Sequence, residues 1–494
     1  MKERESLDVS EFRGDRLWVV ATAAPKHPTL RLVAYAYVFA GLCHLWLADA
    51  WQIEWLPGNI AFLAGLMILV WRPAAAGWAL CMLGKCLPLL FGRDHLTQSV
   101  ILMVFAGGGT YFIGLHAYLS TWPGRLKVYA NSYGEISGPL WGFFDLLRLT
   151  TIATYGLAAL HKLNRDFFDP AYTCAVYGLD KVADYYGAIL PPISDELSLA
   201  TATTIVAVEA GIALGYLLGY RRLILITSVA FHIPLTLTMA PAFAFVMLVG
   251  HAAFLRPADI DVFWRFLRRR WAILIGAATA VWALSTYLHG GPPFSDWTMA
   301  PREWLLWALL ILTVSARPWR PDRVRSHKSR TPAIAPRLVA WTLAGLFVLH
   351  GLTPYLGLRF QNTGAMVSNL RIDQGCWNHL FMPESLRLRD DYIRVDTVYF
   401  GRPGRVEKYE NIVRDQLWNG PMVRQMRKNW CREEMRPFYM AGTFRERTFE
   451  IDDLCAEDLD WPFADDGIFG VQIFENHLRF QRNLARECPQ TCIH

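Results

Sequence analysis

Apolar stretches long enough to cross a bilayer follow one another from Leu30 to about Tyr355, and this run constrains the fold more than any other feature. A hydrocarbon core of about 30 Å needs about 20 mostly apolar helical residues, and backbone at that depth must satisfy its own hydrogen bonds. The candidate spans are Leu30–Ala48, Gly58–Trp71, Pro73–Phe91, Leu96–Leu119, Pro139–His161, Leu197–Gly219, Leu223–Met239, Pro241–Leu255, Trp271–Leu288, Arg302–Ser315 and Leu338–Tyr355. Several are short, which leaves roughly 9–11 transmembrane helices. From Arg359 to His494 the chain is rich in Arg, Asp and Glu and reads as an ordinary globular domain. The expected fold is an all-α polytopic membrane bundle followed by a small α+β soluble domain. Its expected parts are a cytoplasmic segment over 1–29, a transmembrane domain over 30–355 and a non-cytoplasmic domain with cysteines over 356–494.

The formal charge of +6 would suit a nucleic-acid partner, but most Lys and Arg flank apolar spans, where they act as orientation signals. Nucleic acid is set aside and membrane lipid is the expected surrounding. Arg256, Arg265, Arg268, Arg269 and Arg270 form one basic loop, and Arg317, Arg320, Arg323, Arg325, Lys328 and Arg330 form another. Both are expected on the cytoplasmic side. With an odd number of spans, the 162–196 connection and everything from Arg359 onward then lie outside, in a bacterial inner membrane or an ER-like one. Met1–Arg16 does not resemble a signal peptide, so the helix starting at Leu30 is expected to direct insertion and remain.

Cys43, Cys81 and Cys86 fall within spans and read as small buried apolar residues. Cys174, Cys376, Cys431, Cys455, Cys488 and Cys492 make an even set outside, where disulfides are expected with connectivity open. The Cys488-to-Cys492 spacing is not CxxC and no His cluster accompanies it, so no metal is expected. In the tail, Asp391–Phe400 alternates like a strand, Arg405–Trp430 reads as two helical pieces broken at Asn419-Gly420-Pro421, and Pro437–Ile451 reads as a hairpin turning near Gly442. No phosphate loop, HExxH or GxSxG is present.

Ionisable residues at membrane depth carry the functional signal. Lys162 ends a long apolar helix, and it is either a snorkelling anchor or a desolvated amine able to act as a base. Glu209 lies in IVAVEAGIALGYLL and His232 in SVAFHIPLTLTM. His232 reads as an interhelical hydrogen-bonder and Glu209 as its partner or that of Arg222. His44, Lys85, His95 and His116 are weaker cases of the same kind.

Three blocks, TYGLAALHKLNRDFF, VEAGIALGYLLGYRRLILITSVAFHIPLTLTMAPAFAFVMLVGHAAFL and TPYLGLRFQNTGAMVSNLRIDQGCWNHLFMP, together resemble the horizontally transferred transmembrane (HTTM) family. Its best-understood members are the vitamin K-dependent γ-glutamyl carboxylases, and the resemblance covers roughly residues 30–383. It implies an HTTM-like membrane domain in which Lys162, within His161-Lys162-Leu163, is the base toward a reduced quinone. It implies a supporting catalytic role for His232, with His161 and Glu209 beside the cofactor. Reduced vitamin K or menaquinone, O2 and CO2 would be consumed, and a glutamate of an exported peptide carboxylated.

Arg371, Asn378 and His379, with Arg359 and Asn369, follow the last span and read either as headgroup contacts and turns or as a polar lid that binds the peptide. The sequence departs from the family at His161, where a second lysine is usual, at Phe167, where Trp is common, and in its shorter tail. The alternative function is a non-catalytic HTTM protein that binds quinone or lipid, or assists maturation of an exported partner. Transport is disfavoured, since there is no internal repeat or matched pair of broken helices.

Overall fold

A computed structural model of the chain describes residues 21–22, 25–47, 56–90, 97–121, 138–177, 193–238, 241–257 and 259–261, with a few residues between 265 and 276. It continues over 334–357, 363–388 apart from 366, then 390, 392–401, 406–432, 437–463 and 484–489. The candidate spans Trp271–Leu288 and Arg302–Ser315, the stretch 1–20 and Cys492 lie outside the described residues or almost entirely so.

The described chain is mostly helical. In order it forms α1 (Pro28–Leu47), α2 (Leu56–Trp71), α3 (Ala75–Leu90), α4 (Thr97–Ser120), α5 (Gly138–Lys162), α6 (Asp195–Leu217), α7 (Arg221–Thr238), α8 (Pro241–Ala252) and α9 (Ile334–Leu352). Among the described residues, four helices are long and apolar enough to cross a membrane: Ser99–Ser120, Gly138–Lys162, Asp195–Leu217 and Ile334–Leu356. Leu56–Trp71, Ala75–Leu87 and Phe243–Ala252 are shorter apolar helices. Their outward faces are apolar too, with Met67 62%, Trp71 87%, Leu217 64% and Leu349 62% exposed. Such a surface is of the kind that lipid covers.

Small residues let the helices approach closely. On α2 and α3, a Cβ at Gly84 would meet the Gly58 carbonyl oxygen at 2.5 Å, and one at Gly65 the Cys81 amide nitrogen at 2.7 Å. Aromatic edges fill the centre, where Trp78 meets Tyr37 and Phe143 at ring-centroid distances of 4.8 and 5.4 Å. Helix α5 is central and packs on α4, α6, α8 and α9. The first turn of α6 is capped by Ser194, whose side chain accepts from the Leu197 amide, with Asp195 and Glu196 at the positive end of the helix dipole.

After α9 the chain makes a 3-10 turn, Thr353–Leu356, and then lays residues 363–382 over the end of α5. Asn164 and His379 form an antiparallel bridge, Arg165 N–H donates to the Asn378 carbonyl at 3.0 Å, and Leu380 N–H donates to the Leu163 carbonyl at 2.9 Å. This strap leads into a five-stranded antiparallel sheet, order β4-β3-β1-β2-β5, of β1 (Ile393–Phe400), β2 (Gln416–Trp418), β3 (Pro437–Phe444), β4 (Arg447–Ile451) and β5 (Leu484–Ala485). Helices α10 (Val406–Asp415) and α11 (Gly420–Arg432) accompany it, and Ile393, Val395, Val398, Trp418, Val423 and Trp430 belong to its core.

Two details correct the sequence reading. The hairpin turns at Arg445 and Glu446, with φ of 49° and 64°, rather than near Gly442. Gly442 is instead a strand residue pressed on β1, where a Cβ would stand 2.0 Å from the Arg394 carbonyl oxygen. Between the two predicted helical pieces lies β2, which pairs with Ile393 and Arg394, and Asn419 caps α11 by accepting from the Met422 amide.

Disulfides join Cys376 to Cys488 and Cys431 to Cys455. Cys174 is disulfide-bonded as well. Cys43, Cys81 and Cys86 are free.

Candidate functional site

The register of α5 against α6 builds the site. Tyr155 and Lys162 are seven positions apart on α5, as are Glu209 and Tyr216 on α6. Seven residues are two turns, or about 10 Å of rise, so each helix presents two polar groups on one face. Because the helices run in opposite directions, the groups meet as two rungs.

The upper rung is an ion pair. Lys162 Nζ donates to Glu209 Oε1 at 2.9 Å and to the Ala158 carbonyl at 3.4 Å, with side-chain exposures of 7% for Lys162 and 9% for Glu209. Lys162 is therefore not a snorkelling anchor. Glu209 is not held by Arg222, which pairs with Asp259 at 3.0 Å. The second carboxylate oxygen, Oε2, is buried with no hydrogen-bond partner among the described residues. A protonated Lys162 likewise keeps one donor beyond its two partners.

The lower rung is a cluster from four helices. Tyr155 Oη lies 2.7 Å from Ser228 Oγ, 2.5 Å from His232 Nε2 and 2.9 Å from His251 Nε2. His251 reaches Ser228 Oγ at 2.6 Å through the same nitrogen and Tyr216 Oη at 2.6 Å through Nδ1. Helix α8 can bring His251 this close because a glycine precedes it: a Cβ at Gly250 would stand 1.8 Å from Thr151 Oγ1. Hydroxyls and neutral imidazoles can each donate or accept, so the direction of this chain of contacts is set by the tautomers of His232 and His251.

A roof of rings closes the upper rung. His161 Nδ1 lies 2.9 Å from Tyr355 Oη and Nε2 lies 3.3 Å from the Thr363 carbonyl. The partners assign the tautomer, with Nε2–H donating to the carbonyl and Nδ1 accepting from the tyrosine. Tyr355 stacks on His161 and meets His379 edge-on, at centroid distances of 5.4 and 4.9 Å. His379 Nε2 donates to the Leu160 carbonyl at 3.0 Å, while Nδ1 accepts the Phe381 and Met382 amides at 3.1 and 2.9 Å. Burial lowers its pKa below the usual 6.5, and neutral imidazole is the form these partners require.

Asparagines stitch the strap to α5. Asn164 Nδ2 donates to the His161 and Ser368 carbonyls at 2.8 and 2.5 Å, and its Oδ1 accepts the Phe167 amide at 2.9 Å. Asn378 donates to the Asn369 carbonyl at 2.8 Å and accepts the Arg371 amide at 2.8 Å. Arg371 is fully buried. Its guanidinium forms a bidentate pair with Asp373, at 2.8 and 2.9 Å, and donates to the Glu487 carbonyl at 3.0 Å.

The fold thus brings Lys162, Glu209, His161 and His379 to one end of the bundle and places His232 about two turns deeper. Asn378 lies in the strap, and Arg371 joins the strap to Glu487, two residues past β5. The weaker candidates sit elsewhere, with His44 3.1 Å from Ser99 and Lys85 4.2 Å from the Phe62 ring centre. Sequence reasoning passed over Tyr155, Ser228, Tyr216 and His251. Only the seven-residue spacing on two helices could have signalled the tyrosines. Among the described residues no cluster of three or more His, Cys, Asp or Glu is placed to hold a metal. Compared with family models, curated proteins and solved structures, the chain matches none of them.

Proposed function

We propose that the chain is a quinone-dependent integral membrane carboxylase of the HTTM type, modifying glutamates of an exported peptide. The observation that carries this reading is the buried Lys162–Glu209 pair, roofed by His161, Tyr355 and His379 at the end of a long apolar helix. A quinol hydroxyl needs both an acceptor and a donor in a dry pocket, and Glu209 Oε2 with the remaining Lys162 donor supplies them. Reduced vitamin K or menaquinone, when bound, supplies with O2 the basicity that removes a glutamate γ-proton so that CO2 adds at that carbon.

The chain's own part is proton handling and exclusion of water. Moving a proton from the Lys162 ammonium to the Glu209 carboxylate gives a neutral amine next to a neutral acid. That exchange is far less costly in an apolar site than in water, where both charges are solvated. The amine can then take a proton from the quinol. Tyr155, His232 and His251 hold a polar floor beneath the pair, and the strap through Asn164, Asn378 and His379 keeps the roof in place.

A basic band supports the orientation read from the loops. Arg148, Arg222, Arg256 and Arg337 gather toward the opposite end of the bundle, where Asp145 binds Arg337 at 2.9 Å and Arg148 at 3.4 Å. Arg148 is about 21 Å along α5 from Lys162, which suits a cytoplasmic end and an outer end with the sheet beyond it. The alternative, a non-catalytic quinone- or lipid-binding protein, is favoured by the charge balance of the ion pair, which is already neutral overall without a ligand.

The two readings part on isotopically labelled CO2 incorporation into Glu-containing peptides by the chain in nanodiscs with reduced menaquinone or vitamin K and O2. Incorporation that is lost on Lys162→Ala is the expected result. Quinone binding with no incorporation from any peptide would leave only the binding reading.

A further inference from the structure

At the end of the bundle opposite Lys162, arginines that the proposed chemistry does not use outnumber the carboxylates beside them. Helix α5 contributes Asp145 and Arg148, α7 begins with Arg221 and Arg222, Arg256 follows α8, and Arg337 lies in the first turn of α9. Asp259 and the exposed Asp261 complete the group, which sets five cations against three anions.

Each oxygen of Asp145 and Asp259 already has a partner. Asp145 takes Arg148 on Oδ1 at 3.4 Å and Arg337 on Oδ2 at 2.9 Å. Asp259 takes Arg222 on Oδ1 at 3.0 Å and the Arg256 backbone N–H on Oδ2 at 3.1 Å. Arg148 also donates to the Ala253 carbonyl at 2.9 Å and lies among the rings of Trp141, Phe144 and Phe254. Arg221 is different. It is half-buried and within electrostatic reach of Arg148, Arg256, Asp145 and Asp259, yet its guanidinium has no hydrogen-bond or ion-pair partner among the described residues. Five N–H donors in a planar fork, repelled by two neighbouring arginines, are thus left for a ligand that carries negative charge.

The surface beside this fork is apolar: Leu217, Leu218, Tyr220 and Leu223 next to Arg221, and Trp341 next to Arg337, are each more than half exposed. A guanidinium matches phosphate bidentately, and exposed Leu with Tyr and Trp is what acyl chains and the headgroup plane meet on a membrane helix. Basic pockets between transmembrane helices hold lipid headgroups in this way.

We infer that Arg221, backed by the positive field of Arg148 and Arg256, binds the phosphate of an anionic phospholipid in the leaflet at this end of the bundle. The site involves neither quinone nor peptide and stands apart from the carboxylase reading. Arg221 lies two turns before Ser228 on α7, so a headgroup held there also braces the helix that brings Ser228 and His232 to Tyr155.

Native mass spectrometry and melting temperature of the whole chain, in detergent micelles containing phosphatidylcholine and titrated with phosphatidylglycerol, test it. The wild type is expected to retain phosphatidylglycerol in preference to phosphatidylcholine and to melt higher with it. Arg221→Gln is expected to bind it about tenfold more weakly, with Arg221→Lys, which keeps the charge without the fork, in between. Since Arg221 has no protein partner, Arg221→Gln is expected to melt like the wild type in phosphatidylcholine alone, and Arg221→Lys carries the test if it does not. Arg72→Gln removes an exposed charge just past α2, at the same end but outside the cluster, and is expected to leave retention unchanged. Equal retention of the two lipids by the wild type would overturn the assignment. So would equal weakening by Arg72→Gln and Arg221→Gln, which would reduce the effect to general surface charge. Stabilisation by inorganic phosphate as large as that by phosphatidylglycerol would overturn it in favour of a soluble anion.

Discussion

Lys162 and Glu209 are the residues on which stability and the proposed chemistry both turn. Removing either partner leaves the other as an uncompensated charge in an apolar interior, which costs about 3–5 kcal/mol. Lys162→Ala and Glu209→Ala are each expected to lower thermal stability in detergent, whereas the double replacement Lys162→Met with Glu209→Leu is expected to restore most of it while abolishing turnover. A double replacement as unstable as the singles would mean that the pair's surroundings, and not its charges, set the cost.

His379 adds a pH dependence to the strap. Its folded-state pKa lies below the unfolded value of about 6.5, so the unfolded state binds the extra proton first. Its stabilising contribution is present above pH 6.5 and is lost as pH falls below that. Protection of the 378–382 amides, corrected for the intrinsic pH dependence of exchange, is therefore expected to fall as pH drops below about 6.5 and to lose that response in His379→Gln. Lys162 and Glu209 were legible in the sequence because charges at membrane depth are rare. Their pairing was not, since nothing local fixes which face of α6 meets α5.

At the scale of elements, the contacts of α5, α6, α7 and α8 set the polar floor. Gly250→Ala would push a methyl group onto Thr151 Oγ1, so α8 must move and His251 with it. The expected outcome is a loss of about 1–3 kcal/mol. In the bound state a drop in quinone affinity is expected as well, and Thr151→Ala in the same chain should relieve part of both.

Helix positions were legible throughout the described bundle, because apolar runs bounded by Pro, Gly and charged residues leave little choice. The sheet was legible only where alternation was strong, as in Ile393–Phe400. The three residues of β2 carry too short a pattern to be seen, and Gly442 imitates a turn residue because close approach of two strands and a positive φ both select glycine.

For the molecule as a whole, a disulfide cross-links the strap to the sheet region. The Cys376–Cys488 bond closes a loop across 112 positions and fixes the strap to the last strand, next to the Arg371–Asp373 pair. Replacing both cysteines by serine is expected to lower stability by about 2–4 kcal/mol, with faster proteolysis of the sheet region and helices that stay inserted. Simultaneous loss of the helices would show instead that bundle and sheet unfold as one unit.

The central claim is that Lys162 acts as a base, and chemical rescue tests it most directly. Lys162→Ala, assayed for quinone-dependent CO2 incorporation with and without added small primary amines, is expected to be inactive alone and partly restored by the amine, more so as the amine becomes the free base. Turnover of Lys162→Ala at the wild-type rate without amine would contradict the account.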